Sequence, residues 1–130
     1  MPHETPNDER YQRGAKMRRK VLGDAWVENS EKNRNAFNND WVDFITRGAW
    51  CDVWTRPGLE PKIRSVITLS VVLALGHWDE FRLHLRGAVN NGWTRDEIKE
   101  MIIHAAVYAG VPASNHAMKE ADVFFKEMGM

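Results

Sequence analysis

Apolar residues in this chain return at every third or fourth position, and no alternating run lasts long enough to make a strand. That period constrains the fold most. Each helical segment has one apolar stripe, and such stripes are covered only by packing helices on one another. Glycine and proline divide the pattern into segments. A first helix is expected over Glu9–Leu22, stopping at Gly23. A second is expected over 32–47, with Phe37, Trp41, Phe44 and Ile45 on one stripe. A short helical piece at 50–54 should end before the turn at Pro57 and Gly58.

Pro61 suits the first position of a third helix. Its Ile63, Val66, Ile67, Ser70, Val71 and Ala74 follow the rhythm of a buried face as far as Gly76. A fourth helix, 77–90, should end at Asn91 and Gly92. A fifth starts at Thr94, which can cap the Glu97 N–H while the Glu97 side chain reaches back. Its apolar set is Ile98, Met101, Ile102, Ala105, Ala106 and Ala109. A sixth opens at Pro112 and carries Ala117, Ala121, Phe124, Phe125 and Met128. The expected fold is therefore all-α, a single-domain helical bundle of about six helices. Residues 13–130 form the domain, behind a polar, flexible tail at 1–12 that contains His3.

Charge narrows the partners. Lys and Arg number 18, as do Asp and Glu, so there is no basic footprint for nucleic acid. Cys51 is the lone cysteine, which rules out an intrachain disulfide, a thiol pair or a cysteine-built zinc site and leaves a small buried hydrophobe as its expected role. No apolar run approaches the roughly 20 residues of a membrane span, and the first residues lack the apolar stretch of a secretion signal. Neither membrane nor nucleic acid is expected as a partner, and the cytoplasm is the expected location. The six tryptophans should lie mostly in the core or at a subunit interface.

The fourth helix is the unusual one. At about 100° per residue, Trp78, Phe81, Leu85, Ala88 and Val89 face inward, and Glu80, His84, Gly87 and Asn91 form a stripe along the edge of that face. Glu80 and His84 are one turn apart and can meet, as a proton-transfer pair or as an ordinary surface ion pair. Spacing alone leaves both open. His77, Glu80 and His84 could imitate a metal site, but the HExxH spacing is absent and one helix rarely supplies a full ligand set, so no metal is expected. His104 and His116 read as structural histidines. Arg56, Arg64, Arg82 and Arg86 are the candidates for holding a carboxylate. Arg82 and Arg86 lie opposite the inward face, toward solvent or another subunit, whereas Arg64 opens its helix at a position better able to face a pocket.

Several motifs in order carry a resemblance: Thr55-Arg56-Pro57-Gly58-Leu59, Arg64-Ser65-Val66-Ile67-Thr68-Leu69, Glu80 through Arg86, Asn90-Asn91-Gly92, Thr94 through Glu100, and Tyr108 through Asn115. From about Arg13 to Glu127 the chain resembles the carboxymuconolactone decarboxylase family, in the alkylhydroperoxidase D-like superfamily. The peroxidase branch of that superfamily carries a Cys-x-x-Cys pair before its histidine. Here those positions are His77 and Glu80, so disulfide-based peroxide reduction is excluded, while the histidine is retained as His84.

The resemblance implies an alkylhydroperoxidase D-like helical fold, a homo-oligomer (trimer or hexamer) and a cofactor-free carboxy-lyase. The implied reaction is loss of carbon dioxide from 4-carboxymuconolactone to give β-ketoadipate enol-lactone, in the β-ketoadipate (protocatechuate) route of aromatic catabolism. The catalytic candidates are then Glu80 and His84, and the substrate-binding candidates Arg64, Arg56 and His77. Two other readings stay open: a related small-molecule lactone lyase or isomerase, and a non-catalytic helical oligomer that binds a small anion.

Overall fold

Gly23 adopts a φ of 88°, open to glycine at no steric cost, and there one helix ends and another begins. The computed structural model describes residues 4–130, and His3 lies outside them. It contains seven α-helices: α1 (Glu9–Leu22), α2 (Asp24–Lys32), α3 (Asn39–Ile45), α4 (Pro61–Leu75), α5 (Trp78–Asn90), α6 (Arg95–Ala109) and α7 (Val111–Glu127). A π-helical segment, Thr46–Cys51, continues α3. No strand occurs among the described residues, so the fold is all-α. The chain forms two compact units that divide between Glu60 and Pro61, where one domain was expected.

In the first unit, the Asp8 carboxylate accepts from the Tyr11 N–H and starts α1 inside the expected tail, so residues 9–12 are helical and Tyr11 is buried. The expected helix over 32–47 does not form as one piece. Asn35 Oδ1 accepts from the N–H groups of Phe37 and Asn38, and Asn38 Oδ1 accepts from the Asn35 N–H. These asparagines give the backbone local partners that compete with helix formation. The stripe expected from Phe37, Trp41 and Phe44 is exposed.

An ionic network ties α1, α2 and α3 together. Buried Arg18 donates to Glu31 and Ser30, and Arg34 donates to Glu31, Asp43 and the Tyr11 hydroxyl. Cys51 is buried, as expected of a small hydrophobe. Gly14 sits where α1 meets the π-helical segment. A Cβ there would lie 2.0 Å from the Thr46 carbonyl oxygen.

The second unit has one apolar core, built from Leu69 and Leu73 of α4, Phe81, Leu85 and Ala88 of α5, Ile98, Met101 and Ile102 of α6, and Ala117, Ala121, Phe124 and Phe125 of α7. On α5, α6 and α7 these are the stripes the sequence pattern marks, apart from the exposed Met128. On α4 the buried line is Ser65, Leu69 and Leu73, while Ile63, Ile67 and Val71 are exposed. That helix is apolar on more than one side, so periodicity does not choose its inner face. Thr94 and Glu97 form the expected capping box at the start of α6.

Candidate functional site

The end of α5 is pinned to the beginning of α4. Asn91 Nδ2 donates to the buried Ser65 Oγ at 2.8 Å and to the Pro61 carbonyl at 3.4 Å, and Trp93 Nε1 donates to the Lys62 carbonyl at 2.6 Å. The two helices therefore run in opposite directions. At about 1.5 Å per residue, His84 stands roughly 10 Å before Asn91, and Arg64 roughly 5 Å beyond Pro61. The two backbones thus differ by about 6–12 Å in height along the pair, according to whether the Pro61 or the Ser65 contact sets the level.

Glu80 and His84 share an edge of α5, one turn apart. Glu80 is exposed in the first turn, where a carboxylate suits the helix N-terminus, and His84 is half-buried with its Nδ1 sealed from solvent. Burial pushes the His84 imidazole from its ordinary 6.5 down to about 4, and the Glu80 carboxylate pulls the other way. His84 is therefore neutral at pH 7. An arrangement of this kind offers an N–H or a lone pair at a dry edge, and a charge placed beside it would move its titration strongly.

The other expected site residues fall in different places. His77 precedes α5, is exposed and makes no side-chain cap for that helix. It stands about 10 Å from His84 along the axis. Arg64 is half-buried in the first turn of α4. Arg56 is exposed in the first unit, in the turns that follow the π-helical segment. Glu80 and His84 thus share one edge of α5, with His77 just before it, while Arg64 stands on the neighbouring α4.

Arg82 is exposed, as expected, and its Nη1 also pairs with Glu120 on α7 at 2.7 Å, with Asp79 as a second partner. His116 bonds Glu120 and stacks on Trp78, in keeping with a structural histidine. The sequence signal for this cluster was present in the one-turn spacing of His116 and Glu120. It names no partner helix, because the partner is set by tertiary packing.

A cleft of about 580 Å³ lies between α4 and α6, lined by Val66, Ser70, Trp93, Glu97, Glu100, Met101, His104 and Tyr108 among others. It contains neither Glu80 nor His84. Of its two lining glutamates, Glu97 pairs with Lys62 at 3.5 Å, and the Lys62 ammonium also lies over the Trp93 ring. Among the described residues no three His, Cys, Asp or Glu side chains group as a metal site would require, and no helix is long and apolar enough to cross a membrane.

Comparison with known proteins adds to this geometry. The sequence profile of the Carboxymuconolactone decarboxylase family matches residues 39–122. The chain is 52% identical over 125 residues to a 4-carboxymuconolactone decarboxylase from Acinetobacter baylyi, covering 95% of this chain and 93% of that protein. It is 44% identical over 122 residues to a nitrosuccinic acid decarboxylase from Metarhizium robertsii, covering 91% of this chain and 85% of the relative.

Proposed function

The chain belongs to the carboxymuconolactone decarboxylase family, and from that premise we propose that it converts 4-carboxymuconolactone into β-ketoadipate enol-lactone and carbon dioxide. Likeness along nearly the whole chain to a protein named for this reaction is the observation that carries the substrate. The paired Glu80 and His84 support the chemistry.

The departing carboxylate sits on a ring carbon conjugated, through the ring alkene, with the lactone carbonyl. When the bond to carbon dioxide breaks, its electron pair becomes a new ring alkene and the old alkene's electrons pass to the carbonyl oxygen. A proton then adds to the carbon beside that carbonyl. One dianion and one proton thus give one monoanion and one carbon dioxide. The ring supplies the electron sink, so the reaction runs without a cofactor.

The protein must hold the dianion, favour the growing oxyanion and deliver the proton. Arg64 anchors a carboxylate through its planar fork of donors. Arg56, in the first unit, and His77 remain substrate-binding candidates on the resemblance alone. His84 is neutral in the free protein, and a dianion beside it favours its protonated form. Substrate binding thereby loads the proton that His84, assisted by Glu80, passes to the ring.

Exposed Ile67, Val71 and Leu75 on α4 and Val107 and Tyr108 on α6 are surface that a homo-oligomer, trimer or hexamer, would cover. A place in the cytoplasm and in the β-ketoadipate route fits this reading.

The test is to mix the protein with the lactone and follow ring absorbance and carbon dioxide together. The nitrosuccinic acid decarboxylase relative favours one other reading, loss of carbon dioxide beside a different electron sink. Turnover of nitrosuccinate with the lactone left intact would select it. Binding of either anion without turnover would mark a non-catalytic module, and another product from the lactone would mark a lyase or isomerase of a different kind.

A further inference from the structure

The first turn of α5 carries Glu80, yet His77, at its N-cap position, gives that turn no side-chain cap. An uncapped helix end frays unless something else holds it. Two contacts to α7 do so. The Trp78 and His116 rings stack with centroids 4.1 Å apart and 3° between their planes. One turn further along both helices, Arg82 Nη1 pairs with Glu120 Oε2 at 2.7 Å.

The two contacts are joined along each helix. On α7, His116 Nε2 lies 3.2 Å from Glu120 Oε1. On α5, Trp78 packs edge-on against the fully buried Phe81, and Asp79 holds Arg82 from the other side. Two rungs one turn apart fix both the height and the rotation of α5 against α7, which a single contact cannot do. The braced turn runs from Trp78 to Arg82 and includes Glu80, with His84 following on the same edge.

We propose that Trp78, Arg82, His116 and Glu120 are positioning residues, a two-rung brace that sets the Glu80–His84 edge of α5 for the reaction. The inference rests on the decarboxylase reading for its catalytic consequence, but the brace itself has a readout apart from activity. Its polar members are partly exposed, so it adds little to global stability. Its effect is local.

The experiment compares wild type with Glu120→Ala, Glu120→Gln, His116→Ala, His116→Phe and Lys126→Ala, by lactone kinetics, thermal unfolding and amide hydrogen exchange. Lys126 pairs with Asp122 further along α7 and serves as the control. Glu120→Ala should lower kcat about tenfold with KM within about twofold, as expected when a catalytic group is slightly misplaced. Exchange at 79–84 should quicken while global unfolding shifts little. His116→Phe, which keeps a flat ring on Trp78, should retain more kcat than His116→Ala, and Lys126→Ala should match wild type.

Unchanged exchange at 79–84 in both Glu120 variants overturns the brace, as does a kcat loss that merely follows global unfolding. If Glu120→Ala does not fold, Glu120→Gln, which keeps the volume and loses the charge, decides by the same readouts. If wild type leaves the lactone intact, the decarboxylase reading fails, and exchange alone then decides the brace.

Discussion

Glu80 and His84 stand one turn apart on α5 and act in opposition: burial lowers the His84 imidazole to about 4, and the Glu80 carboxylate draws it back up. The free protein therefore holds a neutral imidazole at pH 7, and the charge of a bound dianion is what would protonate it. The pH profiles should show this. The kcat/KM profile follows the free protein and should fall as pH rises above about 4, whereas kcat should hold until a much higher pH, because bound dianion keeps His84 protonated. Initial rates between pH 4 and 8 check the separation. Coincident limbs would contradict substrate-driven protonation.

The same burial links His84 to stability. Its folded value lies below its unfolded one, so above pH 6.5 both states are neutral and nothing is lost. As pH falls from about 6.5 towards 4, the unfolded chain takes up a proton that the folded one resists, and stability drops. The loss should be about 2 kcal/mol, less than the full shift would give because part of the residue meets solvent. Urea unfolding at pH 7 and 4.5 should show a smaller drop in His84→Asn than in wild type.

Arg64→Met should raise KM by roughly tenfold or more through loss of a charge-assisted carboxylate contact, with Arg64→Lys between the two. Steady-state kinetics at saturating lactone should find kcat less affected than KM.

Gly14→Ala should destabilise the protein by about 3 kcal/mol, because the added methyl meets the Thr46 carbonyl oxygen at 2.0 Å and α1 must move from the π-helical segment. Denaturant midpoints measure this. A midpoint within error of wild type would mean that α1 and the segment do not pack this closely in solution.

The outline of α4 to α7 was legible because proline, glycine and a capping box mark helix ends by local chemistry. Pro61, Gly76, Thr94 and Gly110 do so. The face of α4 was not legible, since Ile63, Ile67 and Val71 are as apolar as Leu69 and Leu73, and only the neighbouring helices choose between them. The break at 33–38 was hidden in side-chain hydrogen bonds among asparagines. At the site, spacing paired Glu80 with His84 but did not set a proton-transfer pair above an ordinary ion pair. The depressed imidazole depends on burial from several elements, which no spacing reports. Arg82 is solvent-facing as its position suggests, but its partner Glu120 lies 38 positions later on another helix, where spacing does not reach.

The most direct test is carbon dioxide release from 4-carboxymuconolactone by wild type and His84→Ala at equal concentration, with circular dichroism confirming that both are folded. The wild type should release one carbon dioxide per lactone consumed, and His84→Ala should be slower by about 10²-fold or more. Release by His84→Ala at the wild-type rate, or lactone left intact by the wild type, would contradict the account.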